Sequence, residues 1–253
     1  MQKHPVRTLT LVMLMTCRVH AGDAPVLAAA PAPPPAPLPH ARIAQLYRRH
    51  CASCHGEKGD GNGPAAHFLT PRPRDFAEGD FKLRSTAPGD IPTQEDLERT
   101  VRRGVPGTPM PAFGRSLSDA EVQAVIAVLK SFSSRFEADG AGMPLELPAP
   151  PPRRPDTLAL GRLAYEKLGC ARCHGDNGRG DGPEATGLID ATCYPAHPRD
   201  LTLRARYKGG ATARDIYRTL ATGLDGTPMM ALRTGVSDAD RWNLAYYVSS
   251  LAR

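Results

Sequence analysis

Two pentapeptides in this chain place a pair of cysteines directly before a histidine. Residues 51–55 read CASCH, and residues 170–174 read CARCH. Two thiols separated by two residues can add to the two vinyl groups of one porphyrin, and the histidine that follows can bind the porphyrin iron. This spacing is the signature of covalent haem c attachment. The pattern occurs twice in register, which favours two such sites in one chain.

Three other chemistries use closely spaced cysteines, and each leaves part of the pattern unexplained. A disulfide within each pair leaves both histidines without a role. A zinc site needs four ligands close together, whereas these pairs are 119 residues apart in the sequence. A thioredoxin-like redox pair belongs in a βαβ context, which is missing here. We therefore predict two haem c groups, each bound through two thioether bonds. The cysteines predicted to form them are Cys51, Cys54, Cys170 and Cys173.

Each haem iron has two axial positions, and two pairs of residues recur at matching places in the chain. His55 and His174 end the cysteine motifs and are predicted to be the proximal ligands. Met110 and Met229 each end a GTPM sequence and are predicted to be the distal ligands, because a methionine thioether is a common sixth ligand of haem c. Met230 has no methionine counterpart in the first copy, so the repeat favours Met229.

Several other residues have weaker signals. The sequence Pro-Arg-Asp occurs at residues 73–75 and 198–200, and Arg74 and Arg199 either contact haem propionates or form ion pairs that brace a loop. Cys193 occurs only in the second copy and is expected to be an inert thiol. The remaining histidines are expected at the surface: His4, His20, His40, His50, His67 and His197.

The chain contains two copies of one module. The cysteine motif, a Gly-rich segment after it and the GTPM sequence all recur 119 residues later, and the second copy has extra residues only in an intervening loop. Each copy has three stretches with apolar residues at helical spacing and almost no strand-like alternation. We predict an all-α fold with two tandem haem domains, residues 40–138 and 157–253, joined by a Pro-rich linker at residues 139–156.

The N-terminal sequence is typical of an export signal. A basic start precedes an apolar run at residues 9–16, which is too short to span a bilayer. Residues 1–21 are predicted to be a signal peptide cleaved after Ala21, or a lipoprotein signal that ends before Cys17; the residues leave both open. A Pro/Ala-rich linker follows at residues 22–39. We expect an exported, periplasmic protein, soluble or lipid-anchored through Cys17, with no transmembrane helix in its mature form.

These features together resemble the class I cytochromes c in tandem dihaem form, over nearly all of the predicted mature chain. The resemblance implies helices around a mostly buried haem with one exposed edge, and His/Met-ligated irons that exchange single electrons without binding a substrate. The partners would be respiratory or periplasmic oxidoreductases. The net charge of +6 is dispersed and no aromatic-basic patch is present, which argues against nucleic acid as a partner.

An enzymatic function remains as the alternative. The chain would then be a dihaem oxidoreductase with an exchangeable distal ligand on one haem. It would resemble either a thiosulfate dehydrogenase, which uses a cysteine as that ligand, or a peroxidase. Cys193 keeps this alternative open. Met229 argues against it, because it occupies the position of the distal methionine ligand in the repeat. We therefore expect an electron-transfer protein rather than an enzyme.

Overall fold

The computed structural model describes residues 38–140, 142–232 and 235–252. The predicted signal peptide, Cys17 and most of the Pro/Ala-rich segment lie outside the described residues. Within them the chain forms nine α-helices and two short 3₁₀ turns, with two isolated β-bridges and no longer strand. The predicted all-α fold is therefore confirmed. None of the described helices is long and apolar enough to cross a membrane.

The first module forms its core between its N-terminal helix and a later, longer one. Its helices are α1 (His40–His50), α2 (Ala52–His55), α3 (Gln94–Arg103), α4 (Asp119–Ser131) and α5 (Arg135–Ala138). Helix α1 packs against α4, and α3 also contacts α4. The buried residues between them are aliphatic and aromatic, which is how an amphipathic helix gains most of its stability in a protein. Helix α5 was not predicted from the sequence.

The second module repeats this arrangement with a core of its own. Its helices are α6 (Thr157–Lys167), α7 (Cys170–His174), α8 (Ala213–Thr222) and α9 (Asp238–Leu251). Helix α6 packs against α9, and α8 packs against α9 as well. The aromatic side chains of Trp242 and Tyr217 stack at the centre of this core, with ring centroids 4.4 Å apart.

Two helices of each module begin at a side-chain cap. The Thr93 and Thr212 side chains each accept a hydrogen bond from the backbone N–H three residues later, and both caps are reciprocated by an aspartate. Ser118 forms a complete capping box with Glu121. Ser237 accepts the corresponding backbone bond, but its own backbone N–H donates no hydrogen bond to the Asp240 carboxylate. These caps begin the two helices that flank each GTPM sequence.

Both modules lie in one compact unit, Ala36–Arg253. The Pro-rich segment between them contains no helix over its described residues from 142 to 156. It contacts the first module where Leu145 N–H donates to the Ser85 carbonyl at 2.8 Å. It contacts the second where Tyr246 Oη donates to the Pro151 carbonyl at 2.8 Å. The segment therefore lies against both modules.

Candidate functional site

A backbone carbonyl orients the histidine of each cysteine motif. His55 Nδ1 lies 3.0 Å from the Arg74 carbonyl oxygen, and His174 Nδ1 lies 3.0 Å from the Arg199 carbonyl oxygen. Because a carbonyl oxygen only accepts hydrogen bonds, Nδ1 carries the proton and Nε2 keeps its lone pair. Histidine ligands of metals are normally held through their second nitrogen in this way. Both rings are thus prepared to bind iron through Nε2.

Burial keeps the motif histidines and the first cysteine of each motif in their neutral forms. It lowers the pKa of His55 and of His174, against the opposing effect of the bond to the carbonyl. Neutral imidazole is the form that binds a metal. Burial also raises the pKa of Cys51 and of Cys170 to about 11, so that these thiols stay protonated. All four motif cysteines are free and half-buried.

A buried tyrosine anchors the end of each motif. Tyr47 Oη donates to the Gly56 carbonyl at 2.8 Å, and Tyr165 Oη donates to the Gly175 carbonyl at 2.7 Å. Both carbonyls belong to the residue after the histidine, so the bond ties the module's first helix to its motif. Sequence comparison at constant spacing missed this pair, because Tyr165 is one residue further from its motif than Tyr47. Gly169 absorbs the extra residue in a left-handed conformation, with φ 73°.

The two GTPM loops have the same internal hydrogen bonds. Met110 N–H donates to Thr108 Oγ1 and Met229 N–H donates to Thr227 Oγ1, each at 3.3 Å. The same hydroxyls donate, at 2.7 and 2.6 Å, to the carbonyl three residues before them. Each methionine carbonyl also accepts a backbone bond from the residue after the C-terminal glycine of α3 or α8. The repeated threonine was visible in the sequence, but its role in holding the methionine backbone was not predicted.

The predicted ligands of the first module surround one space. Cys51, Cys54, His55 and Met110 line a single cavity of about 180 Å³ together with mostly apolar side chains. The His55 ring stacks on Phe76, with ring centroids 4.5 Å apart. Apolar walls with a few convergent ligands are what a buried porphyrin requires.

In the second module the corresponding residues share the hydrogen bonds of the first. Cys170 and Met229 are partly buried and pack against the module's core. His174 and Met229 keep the hydrogen bonds described above. Met230 is 78% exposed, which agrees with the choice of Met229 from the repeat.

Cationic side chains gather where the first cavity meets the second module. Lys82 lines the cavity, and so does Lys208, which belongs to the second module. Burial, with a smaller contribution from nearby cations, lowers the pKa of each lysine to about 8. Neither lysine forms an ion pair with the carboxylates of the described residues. Two lysines without an ion pair beside an apolar cavity fit a ligand with an apolar body and anionic groups, as haem c has with its propionates.

The predicted ion pairs within the Pro-Arg-Asp sequences are not observed among the described residues. Asp75 instead accepts from the N–H of Ala77, and Asp200 accepts from the N–H and hydroxyl of Thr202. The guanidinium groups of Arg74 and Arg199 point towards the other module. Arg74 also lines the first cavity, so the propionate contact remains a prediction for it.

The remaining predicted residues are Cys193 and the six histidines outside the motifs. Cys193 is exposed, in a turn where its N–H donates to the Asp190 carbonyl at 2.9 Å. His50 corrects the expectation of surface histidines, because it is half-buried and lines the first cavity. Its position at the end of α1, directly before the first motif, brings it there. The other described histidines are exposed as expected: His40, His67 and His197. His4 and His20 lie outside the described residues.

Comparison with known proteins gives the same organisation. Residues 39–128 match the family described as cytochrome c oxidase, cbb3-type, subunit III, and residues 158–252 match the family described as cytochrome c. A chain in the solved structure of a reducing HAO-like protein complex from Kuenenia stuttgartiensis is 39% identical, with a TM-score of 0.80. The match covers 83% of the present chain and 96% of that chain. A search of curated proteins finds no match.

Proposed function

The chain belongs to the tandem dihaem cytochromes c, and we propose that it carries single electrons between redox proteins through two His/Met-ligated haems. When bound, each haem c supplies a reversible one-electron couple. The observation that carries the proposal is the joint placement of Cys51, Cys54, His55 and Met110 around one cavity. The matching hydrogen bonds of His174 and Met229 extend it to the second module.

The chain's own residues have distinct roles in this proposal. The motif cysteines fix the porphyrin covalently, and the Arg74 and Arg199 carbonyls hold the histidine rings with Nε2 free. The Thr108 hydroxyl holds the loop that presents the Met110 sulfur. With both axial positions filled by protein side chains, no coordination site is left for a substrate. Electron exchange would therefore proceed through an exposed haem edge.

The proposed partners are respiratory or periplasmic oxidoreductases. The similar chain from Kuenenia stuttgartiensis was solved within a reducing HAO-like protein complex. This supports a redox protein as the partner of the present chain, and co-purification from the native host would identify it. We also propose that the protein is exported, soluble or lipid-anchored through Cys17. Mass spectrometry of the mature protein would report the haem count, the N-terminus and any lipid together.

The geometry does not favour the enzymatic alternative. It needs an exchangeable distal ligand on one haem, and Cys193 was the candidate. Cys193 is exposed, whereas Met229 is partly buried and packs against the core of the second module.

Ligand substitution tests the assignment of the axial residues. The oxidised wild-type protein should show the near-infrared band of methionine-ligated haem with an intensity for two methionines per chain. Met110→His and Met229→His should each remove half of that band and lower the reduction potential of one haem. Met230→His is the matched control, because Met230 adjoins Met229 but is exposed, and it should leave both properties unchanged. An unchanged potential in either ligand variant would reject that methionine as a ligand.

A further inference from the structure

The two arginines of the Pro-Arg-Asp sequences make reciprocal contacts between the modules. Arg74 Nη2 of the first module lies 3.4 Å from the Asp225 carbonyl oxygen of the second. Arg199 Nη1 of the second module lies 3.4 Å from the Gly107 carbonyl oxygen of the first. Asp225 directly precedes Gly226, the counterpart of Gly107, so the two contacts reach carbonyl groups one position apart in equivalent loops.

The receiving loops are the ones that carry the predicted distal ligands. Gly107 and Gly226 are the first residues of the two GTPM sequences, with φ +69° and +68°. A Cβ atom on Gly107 would lie 3.1 Å from Arg199 Nη1, and one on Gly226 would lie 2.9 Å from Arg74 Nη1. Each guanidinium therefore packs directly on the loop backbone, where a larger residue would crowd it.

The same arginines hold the proximal histidines through their backbone. The Arg74 carbonyl accepts from His55, and the Arg199 carbonyl accepts from His174. One residue thus contacts the proximal ligand of its own module with its main chain and the distal-ligand loop of the other module with its side chain. The two predicted ligand sets are joined twice in this way, through Arg74 and through Arg199.

The setting strengthens these contacts. Arg74 and Arg199 are partly buried, and this burial lowers the pKa of both guanidinium groups. A charged donor that has lost water bonds more strongly to a carbonyl than a neutral donor does. The loop that receives Arg74 is held further by Ala191, whose N–H donates to the Gly226 carbonyl at 3.1 Å.

We propose that Arg74 and Arg199 are positioning residues that form a crossed clamp, each holding the methionine-bearing loop of the opposite module. Methionine ligation at the second haem would then depend on Arg74, and ligation at the first on Arg199. The proposal rests on the proposed His/Met ligation for its effect on the haems. The contact between arginine and loop is independent of that ligation.

Hydrogen exchange of the intact holoprotein tests the clamp without reference to the iron ligands. The GTPM loops contain hydrogen-bonded N–H groups, among them those of Thr108 and Thr227. Arg74→Ala should speed amide exchange in residues 224–229 and leave residues 105–110 unchanged, and Arg199→Ala should do the reverse. We expect an increase of about tenfold or more, the size of losing one charged hydrogen bond. An increase in the variant's own module only, or none in either, would overturn the clamp.

Ligand displacement tests the consequence for the haems. In a Met110→His background the first haem should resist exogenous imidazole, so its binding reports on the second haem. Arg74→Ala should then speed imidazole binding, whereas Arg199→Ala serves as the matched control and should not. The reversed pattern would show that each arginine acts on its own haem, as a propionate contact would, and would reject the crossed effect. Arg74→Lys replaces Arg74→Ala if the latter does not yield folded holoprotein.

The two proposals fail in different ways. If the wild-type spectrum lacked methionine ligation, the proposed function would be wrong, and the exchange experiment would still decide whether the clamp exists. If methionine ligation were present but neither arginine variant changed amide exchange in the opposite module, the function would stand and the clamp would be rejected.

Discussion

Arg84 provides the most direct test of how the two modules are held together. Its side chain is fully buried, and its Nη2 lies 2.7 Å from the Asp225 carboxylate of the second module. Its guanidinium also donates to three carbonyl groups, those of Phe81, Ala87 and Thr222, at 3.0 to 3.2 Å. Arg84→Met would keep much of the volume but remove the guanidinium donor from these acceptors, of which the Ala87 carbonyl keeps a bond from the Asp90 N–H.

The expected loss can be worked from these contacts. Removing one partner of a buried ion pair costs about 3–5 kcal/mol. Asp225 retains some water and a bond from the Gly89 N–H at 2.9 Å, so the lower end, about 3 kcal/mol, applies. For a unit of more than 200 residues this corresponds to a fall in Tm of roughly 6–12 °C.

Unfolding of the holoprotein in guanidinium chloride, followed by far-ultraviolet circular dichroism, measures this loss of stability. Arg102→Met is the matched control, because Arg102 pairs with Asp119 at 2.8 Å on the surface, where the carboxylate is 88% exposed. That variant should lose less than about 1 kcal/mol. Equal losses in the two variants would refute the reasoning, since burial of the Arg84 pair would then contribute nothing.

Three further substitutions probe the individual sites. Tyr47→Phe removes the tyrosine donor to the Gly56 carbonyl, which keeps a bond from the Gly59 N–H, and should lower the free energy of unfolding by about 1 kcal/mol, measured by the same denaturation; no loss would contradict the anchoring role. Thr93→Ala removes the cap of α3 and should cost about 1 kcal/mol, with Thr212→Ala as the equivalent change in the second module. Lys208→Met removes a cation from the first cavity and should lower the reduction potential of the first haem, measured by spectroelectrochemistry; an unchanged or higher potential would place Lys208 away from that haem.

Local signals predicted the helices well because their causes lie within a few residues. The cap at Thr93 needs only an aspartate three residues later, and the sequence shows both. Helix α5 is a single turn of four residues, too short to show helical periodicity.

The residues of the site could be predicted from the sequence, but the contacts that hold them in place could not. The motif cysteines, His55 and Met110 were found by type and spacing, and the structure brings these residues of the first module around one cavity. The carbonyl partner of His55 could not be found from the sequence. It is a backbone group, and every residue has the same backbone carbonyl whatever its side chain. The contact of Lys208 with the first cavity depends on how the modules pack, and no spacing rule encodes that.

The reciprocal contacts of Arg74 and Arg199 have the form of an isologous interface, in which the same patch is used from both sides. Two separate copies of one module would form such an interface about a twofold axis. Joining the copies in one chain removes the need for symmetry. The Arg84–Asp225 pair exploits this freedom, because Pro106 occupies the position in the first module that Asp225 has in the second. A covalent dimer can thus strengthen one half of its interface alone and still keep the other half in register.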